Sequence, residues 1–148
     1  MATDKNMSDV VTIKTLTLSA AKKIANQAVL KAQELEVPGA IAIVDATGSL
    51  IYLEKLDGTM PGASNLAIGK AKTAIAFQRE TIKLEDLIQQ KRIVMLGLNS
   101  VVDGWYVPLM GAYPIVFEGQ IIGAVAVAGA LNGENDEIIA KFSSQKHL

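Results

Sequence analysis

The chain has 148 residues, 14 basic and 15 acidic side chains, a formal net charge of -1 and no cysteine. That length suits a single domain, residues 1–148, able to bury its own core, while the balanced charge offers no sustained positive field to a nucleic-acid backbone. The lack of cysteine removes disulfides, thiolate metal ligands and a thiol nucleophile together.

Residues 1–9 are polar and expected to be loose, and the N-terminal stretch lacks the apolar core of a signal peptide. No apolar run is long enough to span a membrane, so a soluble, cytoplasmic protein is expected. Val10 to Leu16 (VVTIKTL) alternates apolar and polar residues and predicts a short edge strand. Thr17 or Ser19 can cap a helix whose apolar positions Ala21, Ile24, Ala25, Ala28, Ala32 and Leu35 recur at three- and four-residue steps, with Pro38-Gly39 stopping it. Its alanines predict close packing on a sheet.

Ala40–Val44 and Leu50–Leu56 read as strands joined by the turn residues Asp45-Ala46-Thr47-Gly48. The breaker-rich run Asp57 to Gly62 must be a loop. Ser64 can cap a helix over 65–79, in which Lys70 and Lys72 are embedded among apolar residues. A second capping signal at Thr81 predicts another helix, ending near Gly97. Residues 99–111 form a loop crowded with large side chains around Pro108.

Two apolar runs between Ile115 and Gly129 flank Glu118-Gly119, a pair suited to a tight hairpin turn. Gly123, Ala124, Ala126, Ala128 and Gly129 are narrow and would let another backbone approach one face of the second strand. Asn132-Gly133 breaks the chain, and Asn135 or Asp136 opens a last helix through Ile138, Ile139 and Phe142. The order of helix, hairpin, two helices, hairpin and helix predicts an α+β domain, a central antiparallel sheet flanked by helices, and not a nucleotide-binding βαβ fold.

Two stretches could carry chemistry. Asp57 on its loop, the helix N-terminus at Ser64 and Lys70 could together hold a carboxylate or phosphate; in the plainer reading Asp57 makes a turn and Lys70 extends its ammonium to solvent. Around Tyr106, Met110, Gly111 and Tyr113, Met and Tyr side chains can ligate haem iron, and Tyr can donate a proton, although Met110 serves equally well as core filling. The one histidine, His147, lies at the C-terminus, which leaves no His pair for a metal and no Ser-His-Asp arrangement in the body of the chain. The carboxylates show no spacing that picks out a catalytic pair.

Four segments, LTLSAAKKIANQAVLKAQEL, AIAIVDATGSLIYLEKLDG, SNLAIGKAKTAIAFQRET and GAYPIVFEGQIIGAVAVAG, resemble in that order the GlcG/HbpS-like haem-binding family, which includes the C-terminal domain of PduO. The most specific matches are Asp57-Gly58, Ser64 with Gly69-Lys70-Ala71-Lys72-Thr73-Ala74, and Gly111 with Pro114. The resemblance implies a profilin-like fold with a central antiparallel sheet of about five strands, a homo-oligomer, commonly an octamer, and a bacterial small-molecule or haem-related role. It does not imply corrinoid adenosyltransferase chemistry, which in PduO-type proteins belongs to a separate N-terminal domain. Asp57, Gly58, Ser64, Lys70, Thr73, Gly111 and Pro114 are carried over as pocket positions, with Met110 and Tyr113 added from the reading of the residues. With no His beside these motifs, a haem would need Tyr, Met, Thr or Lys as a ligand, or packing at a subunit interface.

Three functions follow as expectations. The first is an oligomeric binding protein with haem or a related tetrapyrrole as ligand. The second is a small enzyme acting on an organic acid by proton transfer, as a tautomerase, hydratase or decarboxylase would, with Lys70 holding the carboxylate and Asp57 or Tyr113 moving the proton. The third is an assembly subunit. The first two require the segment after Leu56 and the turn before Pro114 to meet over the sheet.

Overall fold

The computed structural model describes residues 8–145, so the predicted loose segment up to residue 7, and His147, lie outside the described residues. Helix α1 (Leu18–Glu34) starts where Thr17 accepts a hydrogen bond from the Ala20 amide at 3.1 Å. It buries Ala20, Ala21, Ile24, Ala25, Ala28 and Ala32 along one stripe. The helix closes through Glu36 at φ 57°, with the Val37 amide bonded back to the Ala32 carbonyl, ahead of Pro38.

Strands β1 (Ala40–Asp45) and β2 (Leu50–Lys55) form the first hairpin, whose turn is held by Asp45 accepting from the amides of Thr47 and Ser49. Strands β3 (Ala112–Phe117) and β4 (Gln120–Ala128) form the second. Its turn residues Glu118 and Gly119 both have positive φ, 49° and 77°, as a two-residue hairpin turn requires. All pairings are antiparallel, and the sheet order β2-β1-β4-β3 puts β1 and β4 side by side at its centre.

The side-chain alternation of the two central strands builds two different cores. Ile41, Ile43, Val125 and Val127 face one way and, with Ile115, pack against α1 and helix α4 (Gly133–Gln145). Ala40, Ala42, Val44, Ala124, Ala126 and Ala128 face the other way, where helix α2 (Ala63–Phe77) lays Ala63, Ala67, Ala71 and Ala74 against them. The narrow face of β4 thus receives a helix backbone. At Gly123 even a methyl group would come within 2.5 Å of the Val44 carbonyl oxygen.

The fold is α+β as predicted, with four strands among the described residues where about five were expected. The expected strand that does not form is Val10–Leu16: Val10, Val11 and Ile13 are exposed, and β1 pairs with β4 only as far as Gly123. Only at Ile122, which the β3–β4 register skips, does the Leu16 amide find a β4 carbonyl, at 3.0 Å.

Five helix boundaries also move. Helix α2 begins at Ala63 with Gly62 at its cap position, so Ser64 lies inside the first turn and caps nothing; it ends at Phe77 because Gln78 turns left-handed at φ 53°. Helix α3 (Thr81–Gln89) has Glu80 at its cap position, and the Thr81 hydroxyl accepts instead from the Ala112 amide of β3. Lys91 at φ 68° ends that run, and Ile93–Val101 continues as a 3-10 helix rather than as α-helix to Gly97. The last helix starts at Gly133, where Asn132 accepts from the Glu134 amide.

Candidate functional site

Lys70 occupies the buried stripe of α2, one turn from Ala67 and from Ala74, so its stem is carried toward the sheet. Its Nζ donates to the Val127 carbonyl of β4 at 3.0 Å and lies 3.5 Å from Oδ2 of Asp136 on α4. The other Asp136 oxygen accepts from the Ala130 amide at 3.2 Å. Burial lowers the Lys70 pKa, against the opposing pull of Asp136, Glu85 and Glu137. Burial raises that of Asp136, opposed by Lys70 and the amides of Ala130 and Gly129.

Gly111 completes this corner. Its φ is +117°, and a Cβ there would stand 2.7 Å from the Val127 oxygen and 3.0 Å from the Lys70 Nζ, so both the backbone and the space demand glycine. Two carboxylates hold the adjoining chain: Glu85 of α3 accepts from the Met110 amide at 3.1 Å and Glu137 of α4 from the Gly111 amide at 2.9 Å. The second Glu137 oxygen takes the hydroxyl of Tyr113. Burial, followed by the Tyr113 hydroxyl and Gly111 amide that oppose it, leaves the Glu137 pKa raised, and burial with the Glu137 contact raises that of Tyr113.

A cavity of about 240 Å³ opens beside Lys70. Met60, Leu66, Leu109 and Met110 wall it, with Glu85 and Asp136 at its polar end. The segment after Leu56, through Met60, and the turn before Pro114, through Met110, do meet here.

The predicted site residues are nevertheless divided. Lys70 and Met110 share this cavity and Gly111 abuts it. Asp57 and Gly58 line a separate hollow with Gln33, Val37, Pro38 and Leu56. Tyr113 and Pro114 line a groove of about 610 Å³ between edge strand β3 and the end of α4, with Glu80, Val116, Ile121 and Lys141. Thr73 is spent on structure: its hydroxyl donates to the Gly69 carbonyl and accepts from the Val107 amide, while Gly69 lets that same segment cross α2, where a Cβ would lie 2.4 Å from a Val107 methyl carbon. Ser64 is half-buried in the first turn of α2.

Asp136, Glu137 and Glu85 were missed as site residues. The signal for Asp136 was its place three and four residues before Ile139 and Ala140, on the buried face of its helix, where a carboxylate calls for a buried cation. Lys70 on an alanine stripe was the matching signal.

Among the described residues no helix is long and apolar enough to cross a membrane. The family model for haem degrading protein HbpS-like matches residues 16–143. An uncharacterized 15.0 kDa protein from the dhaT-dhaS intergenic region of Citrobacter freundii is 31% identical over 129 residues, 87% of this chain and 89% of that protein. The crystal structure of Klebsiella pneumoniae protein ORFY superposes with a TM-score of 0.86 at 25% identity, covering 93% of this chain and 94% of that one. The crystal structure of a PduOC:heme complex does so with a TM-score of 0.80 at 29% identity, covering 90% and 99%.

Proposed function

The chain belongs to the haem degrading protein HbpS-like family, and on that premise we propose that it binds haem or a related tetrapyrrole in the groove beside β3. The observation that carries this reading is the likeness, over nine-tenths of the chain, to a protein solved as a haem complex.

Size separates the Lys70 cavity from the β3 groove as a tetrapyrrole site. The Lys70 cavity, at about 240 Å³, falls below the roughly 300–1,000 Å³ of ordinary ligand pockets, while the β3 groove, at about 610 Å³, lies within it. The groove's lining also suits an amphipathic macrocycle. Pro114, Val116 and Ile121 offer apolar contact, Lys141 a cation for a propionate, and Tyr113 an oxygen of the kind that ligates haem iron. When bound, haem supplies redox-active iron. The chain's part is to seat the ring and to govern the Tyr113 proton, for which Glu137 is the acceptor already in contact.

Assembly belongs to the same proposal. The 3-10 helix Ile93–Val101 buries none of its residues, and Ile93, Val94, Leu96 and Val101 are each more than half exposed. An apolar surface of that kind supports a homo-oligomer, with the octamer implied by the resemblance as its form.

The organic-acid enzyme is less well supported, because Lys70 is paired with Asp136 and neither Asp57 nor Tyr113 lines its cavity. Titration with hemin tests the binding proposal. A saturable, shifted Soret band that weakens in Tyr113→Phe and Lys141→Ala is expected; a spectrum matching free or nonspecifically bound hemin would overturn it.

A further inference from the structure

The Lys70 cavity is left without an occupant by the haem proposal, and its chemistry is of another kind. We propose that Lys70 reversibly captures a short aliphatic aldehyde as an imine inside this cavity.

Three observations support this. An amine lines a cavity whose apolar walls, Met60, Leu66, Leu109 and Met110, suit an aliphatic chain, and whose carboxylates, Glu85 and Asp136, disfavour an anionic one. The volume, about 240 Å³, equals the liquid share of roughly eight waters, enough for a molecule of a few carbons. An acid–base group is already in place, since Asp136 Oδ2 lies 3.5 Å from the amine.

The shared burial of this pair favours a neutral amine without stranding a charge. Burial lowers the Lys70 pKa and raises that of Asp136, so transfer of a proton from ammonium to carboxylate across their 3.5 Å contact would free the amine with no change in the net charge of the pair. The charged groups facing Lys70 are Asp136 and Glu137 from α4 and Glu85 from α3. No free cation is offered to a carboxylate ligand here, whereas a neutral carbonyl compound needs none.

The step balances within the site. The Lys70 nitrogen lone pair attacks the carbonyl carbon, the C=O pair moves to oxygen, and that oxygen takes the proton held by Asp136. The nitrogen returns a proton to Asp136, which delivers it to the departing hydroxyl as C=N forms. Aldehyde, amine and the Asp136 proton become a protonated imine and water, with the Asp136 carboxylate as its counter-charge; no oxidant or reductant is needed, and water reverses the step.

The test is to incubate the full-length protein with propanal and cyanoborohydride near neutral pH and map propylated lysines by peptide mass spectrometry over time. Lys70 should be modified ahead of the exposed Lys22, Lys23, Lys55 and Lys91, and Asp136→Asn should slow modification at Lys70 while leaving the exposed lysines unchanged. In urea the preference should vanish. Labelling confined to exposed lysines, or a Lys70 preference that survives unfolding, would overturn the proposal. Hemin binding is a separate readout at a separate groove, so failure of one reading leaves the other standing.

Discussion

The Lys70 ammonium and the Asp136 carboxylate face each other at 3.5 Å with 4% and 5% of their side chains exposed, one from α2 and the other from α4, on opposite faces of the sheet. They meet around the end of β4, where the Val127 carbonyl accepts a hydrogen bond from the Lys70 Nζ and the chain turns through Gly129. The pair therefore ties both helical layers to one strand end. Removing one partner leaves the other charge buried.

Lys70→Met should cost about 3–5 kcal/mol, the penalty of an uncompensated buried charge. The double variant Lys70→Met, Asp136→Leu should recover a large part of it, because two apolar side chains leave no charge to desolvate. Urea denaturation of the four members of this cycle measures both. A loss below about 1 kcal/mol in the single variant would show that water reaches Asp136.

Gly111→Ala and Gly58→Ala separate space from backbone strain. Both glycines have positive φ, 117° and 84°, but nothing lies within 4 Å of a Cβ at Gly58, whereas one at Gly111 would meet the Val127 oxygen at 2.7 Å. We expect about 1 kcal/mol at Gly58 from strain alone, and more than about 3 kcal/mol at Gly111, where the strand end and the Lys70 contact must both shift. Equal thermal shifts in the two variants would contradict the close approach.

The pH dependence of stability carries a contribution of unusual sign from Glu137. Its folded pKa is raised by burial, with Tyr113, Glu80 and Lys141 as the charged or titratable groups acting on it. Between an unfolded value of about 4.3 and the raised folded one, the native chain binds more protons than the unfolded chain, so stability falls as pH rises through that window. Asp45 and Glu80, whose pKa values are lowered, act in the opposite sense at more acidic pH. The difference between the wild type and Glu137→Gln isolates the contribution: the wild type should lose stability relative to the variant as pH rises above about 4.3, and an unchanged difference would refute it.

Assembly through the 3-10 helix is tested by Ile93→Lys with Val101→Lys. Both residues are exposed, 67% and 75%, so the protomer should keep its melting behaviour while light scattering reports a smaller particle. A wild type that scatters as a monomer at micromolar concentration would remove the oligomer from the proposed function.

Much of this molecule was legible one segment at a time. The Glu118-Gly119 turn, the Thr17 cap and the alanine periodicity of α1 are local: each depends on residues within a few positions of one another, and each was found where it was read. The narrow face of β4 was legible too, since alternation along a strand fixes which residues share a face before any partner is known. The sequence alone therefore determined the element order, the α+β class and the β-hairpins.

Only the tertiary structure decided what those faces meet. Val10–Leu16 carries the pattern of a strand and forms none: Val10, Val11 and Ile13 lie exposed, and the segment joins the sheet at the Leu16 amide, bonded to the Ile122 carbonyl. Thr81 carries the mark of a cap and instead satisfies Ala112, 31 residues on. Asp57, Lys70 and Tyr113 read as one site and open into three different hollows, while Asp136, 66 positions from Lys70, supplies its counter-charge. The physical reason is the same each time: a hydrogen bond or a buried charge takes whichever partner the packed chain brings within reach, and that reach is set by the crossing of layers, which no local pattern encodes.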